Sequence, residues 1–111
     1  GDGSATRDYV FVVDAAEANA LALTHGGGEI INLGSERGTS TLELYSHLQK
    51  NIGFETGPKF APLRAGEIHH IYLSGRKAKQ VLGWQPTVSV EEGLAHTVKW
   101  LQQVRQIGQW R

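Results

Sequence analysis

The stretch "RDYVFVVDAAEANALAL", residues 7–23, decides the fold because a strand signal is followed at once by a helix signal. Residues 7–13 are rich in β-branched and aromatic side chains, which is typical of a buried strand. Asp14 and Glu17 have the spacing of a capping box, and the run that follows has nearly ideal helix composition. We therefore predict a strand over 7–13, a helix cap at Asp14 and a helix after it.

The remainder of the chain continues this alternation. Apolar or extended runs predict strands at 29–33, 59–61 and 68–73. Apolar stripes predict helices over 41–52, 76–82 and 90–104. The ends of these helices carry start and stop signals, namely Ser40 with Glu43, Gly53, Ser74, Gly83, and Ser89 with Glu92. The order of elements predicts an α/β fold with short crossovers and a small parallel sheet.

Composition excludes several classes of function. Eleven basic side chains balance eleven acidic ones, so the chain lacks the basic excess expected of a general nucleic-acid surface. It has no apolar run of about 18 residues, which a membrane span would need. It has no cysteine, which excludes disulfides and fits a reducing compartment, and we expect a cytoplasmic location.

No pattern of a metal or catalytic site is present in the sequence. No histidine pair has the H-x-x-x-H spacing, and no tyrosine has a lysine four residues later. The glycines at 26–28 precede a predicted strand, whereas a dinucleotide loop precedes a helix. The turn at 34–40 does follow a strand and precede a helix, so a single bound anion there stays open. We therefore expect no catalytic, cofactor-binding or metal-binding residue in this chain.

Two arginines and one acid are the remaining candidates for a binding site. Arg64 lies near Gly66 and Glu67 in a predicted loop, and Arg7 begins a predicted strand. The planar guanidinium suits a phosphate, and two of them suit a diphosphate. A carboxylate such as that of Glu67 can accept hydrogen bonds from sugar hydroxyls. The alternative is two local surface ion pairs, Arg7 with Asp8 and Arg64 with Glu67.

Three segments resemble a known family in order and spacing. They are "GDGSATRDYVFVVDAAEANALAL", "IINLGSERGTSTLEL" and "RAGEIHHIYLSGRKAKQVLGWQPTVSVEEGLAHTVKW", and together they cover nearly the whole chain. They resemble the extended short-chain dehydrogenase/reductases, and more narrowly the NAD-dependent nucleotide-sugar epimerases and dehydratases of the UDP-glucose 4-epimerase type. The resemblance is specific to this family and not to one sugar.

The resemblance implies roles for individual residues. The family's T-R-D arginine corresponds to Arg7 and contacts the substrate nucleotide, and the aromatic residue two positions later corresponds to Tyr9. The arginine and acid of R-x-G-[DE] correspond to Arg64 and Glu67, which would bind the diphosphate and the ribose. The expected ligand is a nucleotide sugar, most commonly a UDP-sugar. NAD would belong to the full-length family enzyme, and we expect this chain alone to bind none.

The resemblance also implies a division of the chain. Residues 1–38 would supply the last strands and a helix of a Rossmann-type domain, and residues 39–111 a small substrate-binding domain. The family's glycine fingerprint and catalytic Tyr-x-x-x-Lys lie earlier in the sequence, so this chain resembles the last third of such an enzyme. Its partner would be the missing N-terminal Rossmann domain or a second copy of itself. A stand-alone nucleotide-binding module and a remnant that only self-associates are the alternatives.

Three positions depart from the family pattern. Val13 stands where the first of two acids is frequent, and Glu36 stands where a glycine is common. Ile71 occupies a position at which the familiar epimerase has a tyrosine, with Tyr72 one residue later. The last departure weakens any assignment to one particular sugar.

Overall fold

A computed structural model describes residues 1–106 of the chain. Within these residues the chain forms two very short strands and four helices. Their order and bounds are β1 Thr6–Arg7, α1 Val12–Ala22, β2 Thr39–Ser40, α2 Thr41–Ile52, α3 Arg76–Leu82 and α4 Val90–Gln106. None of the helices in this part of the chain is both long enough and apolar enough to cross a membrane.

Local capping signals set the ends of α2 as the sequence predicts. The Glu43 N–H donates to Ser40 Oγ at 3.1 Å, and the Ser40 N–H donates to Glu43 Oε2 at 3.3 Å. This reciprocal pair satisfies two N–H groups that the first helical turn leaves without partners. Gly53 ends the helix with φ of 79°, a left-handed conformation that glycine adopts without steric cost. The predicted capping box and stop of α2 are confirmed.

The boundaries of α3 and α4 are also largely as predicted. Ser89 and Glu92 form the predicted box at the start of α4, with the Glu92 N–H donating to Ser89 Oγ at 3.2 Å. Helix α3 spans Arg76–Leu82 and ends at Gly83 in the left-handed region. Its N-cap is Gly75, however, and no side chain caps it there. The Ser74 hydroxyl nevertheless accepts a hydrogen bond from the Arg76 N–H at 3.4 Å, so Ser74 serves the first turn as predicted, although the N-cap position lies one residue later.

Helix α1 begins earlier than its sequence predicts. Its N-cap is Phe11, which has no side-chain cap, and Asp14 lies within the first turn instead of capping it. Val12 and Val13 are therefore helical, so the predicted strand over 7–13 is wrong apart from the pairing of Arg7. The physical reason is that the Asp14 carboxylate has stronger partners in a distant segment than the N–H groups of its own helix.

Those partners lie in the segment that leads into α4. Asp14 is only 2% exposed, and its Oδ2 accepts hydrogen bonds from the N–H groups of Thr87 and Val88, both at 3.0 Å. Its Oδ1 accepts one from the Thr87 hydroxyl at 2.8 Å. The Asp14 carbonyl accepts another from Trp84 Nε1 at 2.8 Å. Because a buried carboxylate is tolerated only when it is well hydrogen-bonded, this junction fixes α1 to residues 84–88.

Apolar packing supports the same junction. Helix α1 packs against α3, and helix α2 packs against α4. The core between α1 and α3 consists of four buried residues, Ala18, Ala78, Leu82 and Trp84. This core joins elements from both sides of residue 38, and the division into 1–38 and 39–111 stays a prediction.

The strands differ most from expectation. Strands β1 and β2 pair in antiparallel fashion, with Thr6 opposite Ser40 and Arg7 opposite Thr39, and Thr6 makes one parallel bridge to His70. The predicted strands at 29–33, 59–61 and 68–73 form no further ladder within the described residues. The alternation of buried and exposed side chains that a strand would show is present at residues 30 and 31, since Ile31 packs on the core while Ile30 is 86% exposed. A strand forms only where a neighbour supplies backbone partners, and residues 1–106 supply none there.

We predict that replacing Asp14 with alanine lowers the free energy of unfolding by about 2–4 kcal/mol, because it leaves buried N–H groups without an acceptor. Glu17→Ala is the matched control, since the Glu17 side chain is exposed on the same helix and forms no side-chain hydrogen bond within the described residues. Urea unfolding followed by circular dichroism measures both variants. Equal stability of the two variants would contradict the junction.

The Asp14 junction also carries a pH dependence. Burial raises the pKa of Asp14, but hydrogen bonds from Val88 N–H, the Thr87 hydroxyl and Thr87 N–H outweigh it, so its pKa lies below the ordinary value. Its contribution is present above the unfolded-state pKa of about 3.9 and is lost as pH falls through the lower folded-state pKa. The stability gap between wild type and Asp14→Asn should therefore narrow in acid. A gap that stays constant or widens would contradict this assignment.

Candidate functional site

The candidate site is organised by β1, which lies between two other segments. On one side, the Thr41 N–H donates to the Ala5 carbonyl at 3.2 Å, beside the ladder with β2. On the other side, the Thr6 N–H donates to the His69 carbonyl at 2.8 Å, and the Ile71 N–H donates to the Thr6 carbonyl at 3.3 Å. Residues distant in sequence are thereby brought to one place by backbone hydrogen bonds.

The consequence is a contact between Arg7 and Glu67. The Arg7 Nη2 atom lies 3.8 Å from Glu67 Oε1, and Arg7 Nη1 donates to the Thr6 carbonyl at 2.8 Å. The two side chains are 37% and 38% exposed, so both remain open to solvent. A pair this exposed contributes little to stability and is available to a ligand.

Arg64 belongs to the same turn as Glu67. The Glu67 N–H donates to the Arg64 carbonyl at 3.2 Å, and Gly66 between them has φ of 80°, which closes the turn. Arg64 is exposed and forms no ion pair with a carboxylate of residues 1–106. The alternative of two local pairs, Arg7 with Asp8 and Arg64 with Glu67, is therefore wrong, because Glu67 pairs with Arg7 and Asp8 has other partners.

A surface hollow adjoins this turn. It has a volume of about 340 Å³, and Glu67 lines it together with the apolar side chains of Leu42, Phe60 and Leu63. Ligand pockets of proteins begin at about this size and combine apolar walls with a few polar groups.

Tyr9 does not share this hollow. It lines a separate cavity of about 180 Å³, together with Phe11 and Leu94. The structure brings Arg7 and Glu67 together and places Arg64 on the adjoining turn, but it does not bring Tyr9 to them. A role for Tyr9 in binding stays a prediction.

Asp8 is a residue of the site region that sequence reasoning missed as a contributor. Its carboxylate accepts hydrogen bonds from the Ser35 N–H at 2.9 Å, the Ser35 hydroxyl at 2.5 Å and the Leu73 N–H at 3.0 Å. Burial raises the pKa of Asp8, but hydrogen bonds from these Leu73 and Ser35 groups outweigh it, so its pKa lies below the ordinary value. No local pattern signals these partners, which lie in two distant segments.

The residues that the structure describes contain no cluster of metal ligands. No group of three or more His, Cys, Asp or Glu side chains in residues 1–106 could hold a metal ion. His70 contacts the β1 threonine instead, with its Nδ1 atom 3.1 Å from Thr6 Oγ1. Of Arg7, Arg64 and Glu67, only Glu67 lines the hollow of about 340 Å³; Arg7 reaches its edge through the contact with Glu67, and Arg64 lies on the turn before Glu67.

Known protein families and relatives match most of the length of this chain. A family model described as GDP-mannose 4,6 dehydratase matches residues 1–97. A UDP-glucose 4-epimerase from Mycolicibacterium smegmatis is 44% identical over 100 residues, which are 89% of this chain and 32% of that protein. A putative UDP-glucose 4-epimerase from Methanocaldococcus jannaschii is 41% identical over 101 residues, covering 91% of this chain and 32% of the relative.

Solved structures give the same picture. The UDP-glucose 4-epimerase of Thermotoga maritima, solved with UDP-glucose, superimposes with a TM-score of 0.89 at 41% identity, covering 94% of this chain and 34% of that one. The UDP-glucuronic acid 4-epimerase of Bacillus cereus, solved with UDP-glucuronic acid and NAD, gives a TM-score of 0.83 at 31% identity, with the same coverage of 94% and 34%.

The chain spans about a third of the length of these relatives. The agreement confirms the α/β fold class, although the described residues by themselves form only a two-stranded antiparallel ladder. The chain therefore belongs to the family of NAD-dependent nucleotide-sugar epimerases and dehydratases, and it corresponds to the C-terminal portion of an extended short-chain dehydrogenase/reductase.

Proposed function

We propose that this chain forms the nucleotide-sugar-binding portion of an NAD-dependent UDP-sugar epimerase. Arg7 and Arg64 bind the diphosphate, and Glu67 binds the ribose hydroxyls. The observation that carries the proposal is the contact of Arg7 with Glu67, at 3.8 Å, between two residues that are distant in the sequence. Relatives of similar sequence solved with UDP-glucose or with NAD and UDP support the choice of ligand.

The charges of the site fit a nucleoside diphosphate. Two guanidinium groups near one surface offset the negative charge of a diphosphate and can each donate two parallel hydrogen bonds to its oxygens. The carboxylate of Glu67 would repel the diphosphate but accepts hydrogen bonds from a vicinal diol. The ligand would therefore place its phosphates at the arginines and its ribose at Glu67. The loose Arg7–Glu67 pair can open at little cost, since both groups are already partly hydrated.

Chemistry on the sugar would depend on groups that this sequence does not contain. No tyrosine in it is followed by a lysine four residues later. NAD, when bound to a complete enzyme of this family, accepts and returns a hydride. We propose that residues 1–111 contribute binding and orientation of the nucleotide, and that the chain alone neither catalyses nor binds NAD.

A second candidate function is a stand-alone module that binds nucleotide or self-associates. Its self-associating form would cover large exposed apolar side chains, of which Leu23 and Ile30 are each 86% exposed and Val12 is 70% exposed. Side chains of this kind are normally covered by another domain or another subunit. An N-terminal Rossmann-type portion and a second copy of the chain are the two partners that would cover them.

We predict that the 111-residue protein binds UDP and that Arg64→Ala weakens this binding by about tenfold to a hundredfold. The range corresponds to loss of a charge-assisted hydrogen-bonding group. Arg105→Ala is the matched control, because Arg105 is exposed on α4 and lies beyond the residues that match the family. Isothermal titration calorimetry measures all three affinities. Equal affinities in wild type and Arg64→Ala would overturn the assignment of Arg64.

A hybrid enzyme separates the two candidate functions. In this hybrid, the chain replaces the C-terminal third of the Thermotoga maritima epimerase. We predict that the hybrid converts UDP-galactose to UDP-glucose. In that hybrid, Glu67→Ala should raise KM by about tenfold or more, because one charged acceptor of the nucleotide is lost. A folded hybrid without activity, made from a chain that binds UDP, would favour the stand-alone module.

A further inference from the structure

We propose that Asp8 is a positioning residue for the nucleotide-binding pair, and that it holds Arg7 opposite Glu67 by fixing β1 to Ser35 and Leu73. The expected effect of Asp8 on ligand binding rests on the proposed function. The expected effect of Asp8 on the position of Arg7 does not. The proposal assigns a role to a carboxylate that forms no ion pair within residues 1–106 and that the proposed function does not place against the ligand.

Asp8 joins three segments at one point. Its Oδ1 atom accepts from the Ser35 N–H at 2.9 Å, and its Oδ2 atom accepts from the Leu73 N–H at 3.0 Å. Asp8 directly follows β1, so these hydrogen bonds anchor the end of β1 next to Arg7. Two backbone N–H groups and one hydroxyl leave this carboxylate little freedom to move.

The segments meet so closely that a glycine is required. A Cβ atom at Gly34 would lie 2.6 Å from the Leu73 carbonyl oxygen and 2.9 Å from Asp8 Oδ2. Both distances are well inside van der Waals contact, so any larger residue would push Leu73 away from β1. Asp8, Gly34 and Leu73 thus form a close-packed crossing next to Arg7, the residue that precedes Asp8.

This crossing sets the register between β1 and the segment that carries Glu67. The Thr6 backbone is already paired with His69 and Ile71, and the Asp8 side chain adds a further contact between the same two segments by accepting from the Leu73 N–H through Oδ2. A slip of one residue would move Glu67 by about 3.3 Å along the strand. Such a shift would separate Glu67 from Arg7, because their atoms already lie 3.8 Å apart.

Glu36 provides a matched control within the same region. Its Oε1 atom accepts from the Gly75 N–H at 3.0 Å and from the Ser74 hydroxyl at 3.3 Å. The Glu36 side chain therefore links the same loop to the start of α3 but makes no hydrogen bond to β1 or to Asp8. If the loop contacts alone mattered, Glu36→Ala and Asp8→Asn would affect the site alike.

The first experiment is a double-mutant cycle in UDP binding. Asp8→Asn keeps one acceptor oxygen but points an amide N–H₂ at a backbone N–H. We expect it to weaken UDP binding about tenfold in the wild-type background and by a clearly smaller factor in the Arg7→Ala background, because part of its effect passes through Arg7 and part through Glu67. Glu36→Ala should change the affinity less than twofold. Equal losses from Asp8→Asn in both backgrounds would overturn the proposal.

The second experiment needs no ligand and decides the proposal if UDP does not bind. The Nε–Hε resonance of Arg7 and the rate of rotation of its guanidinium are measured by NMR in the free protein. We expect faster rotation and a shifted resonance in Asp8→Asn, with both unchanged in Glu36→Ala. Unaltered Arg7 signals in a folded Asp8→Asn protein would overturn the proposal. If that variant does not fold, Asp8→Glu, which displaces the carboxylate by one methylene, is measured with the same expectation.

Absence of UDP binding by the wild-type chain would contradict the proposed function and leave the positioning role of Asp8 to the NMR result. Binding of UDP together with unchanged Arg7 signals in Asp8→Asn would support the proposed function and contradict the positioning role of Asp8. The two proposals therefore fail separately.

Discussion

The backbone pairing of Thr6 is the constraint on which the rest of the site depends. Thr6 hydrogen-bonds to the segment at 69–71 and lies opposite Ser40 in the ladder with β2, so a two-residue strand joins two distant parts of the chain. Without this pairing, Arg7 and Glu67 would have no fixed relation. Two acidic side chains, Asp8 and Asp14, secure the arrangement by accepting hydrogen bonds from backbone N–H groups elsewhere in the chain. Both are carboxylates whose bonding partners stabilise the charged form.

Elements whose signals are local could be predicted from the sequence. Helix α2 has its capping box and glycine stop within fifteen positions of each other, and the structure has both. Of its predicted apolar stripe, Leu44 and Leu48 are half-buried and Ile52 is exposed. Helix α1 could not be placed correctly, because the fate of Asp14 is decided by Thr87 and Val88, which are 73 and 74 residues away. The strand predicted at 29–33 failed for a related reason. Its apolar alternation is present, but pairing requires a neighbour that residues 1–106 do not provide.

The site shows the same division between chemistry and geometry. The side-chain chemistry of Arg7, Arg64 and Glu67 was sufficient to suggest a diphosphate and a diol as ligands, and the family resemblance gave each residue a role. The sequence could not show which arginine contacts Glu67. Proximity in sequence favoured Arg64, but the structure has Arg7 in contact with Glu67. Asp8 looked like a local ion-pair partner for the same reason. Its role as a junction depends on Leu73, which is 65 residues away.

The central claim is that two guanidinium groups and one carboxylate converge on a single nucleoside diphosphate. A crystal structure of the protein with UDP bound tests it most directly. The account predicts that nitrogen atoms of Arg7 and Arg64 lie within about 3.2 Å of diphosphate oxygens, and that a Glu67 oxygen lies equally close to a ribose hydroxyl. UDP bound in another hollow, or bound with either guanidinium turned away from the phosphates, would contradict it.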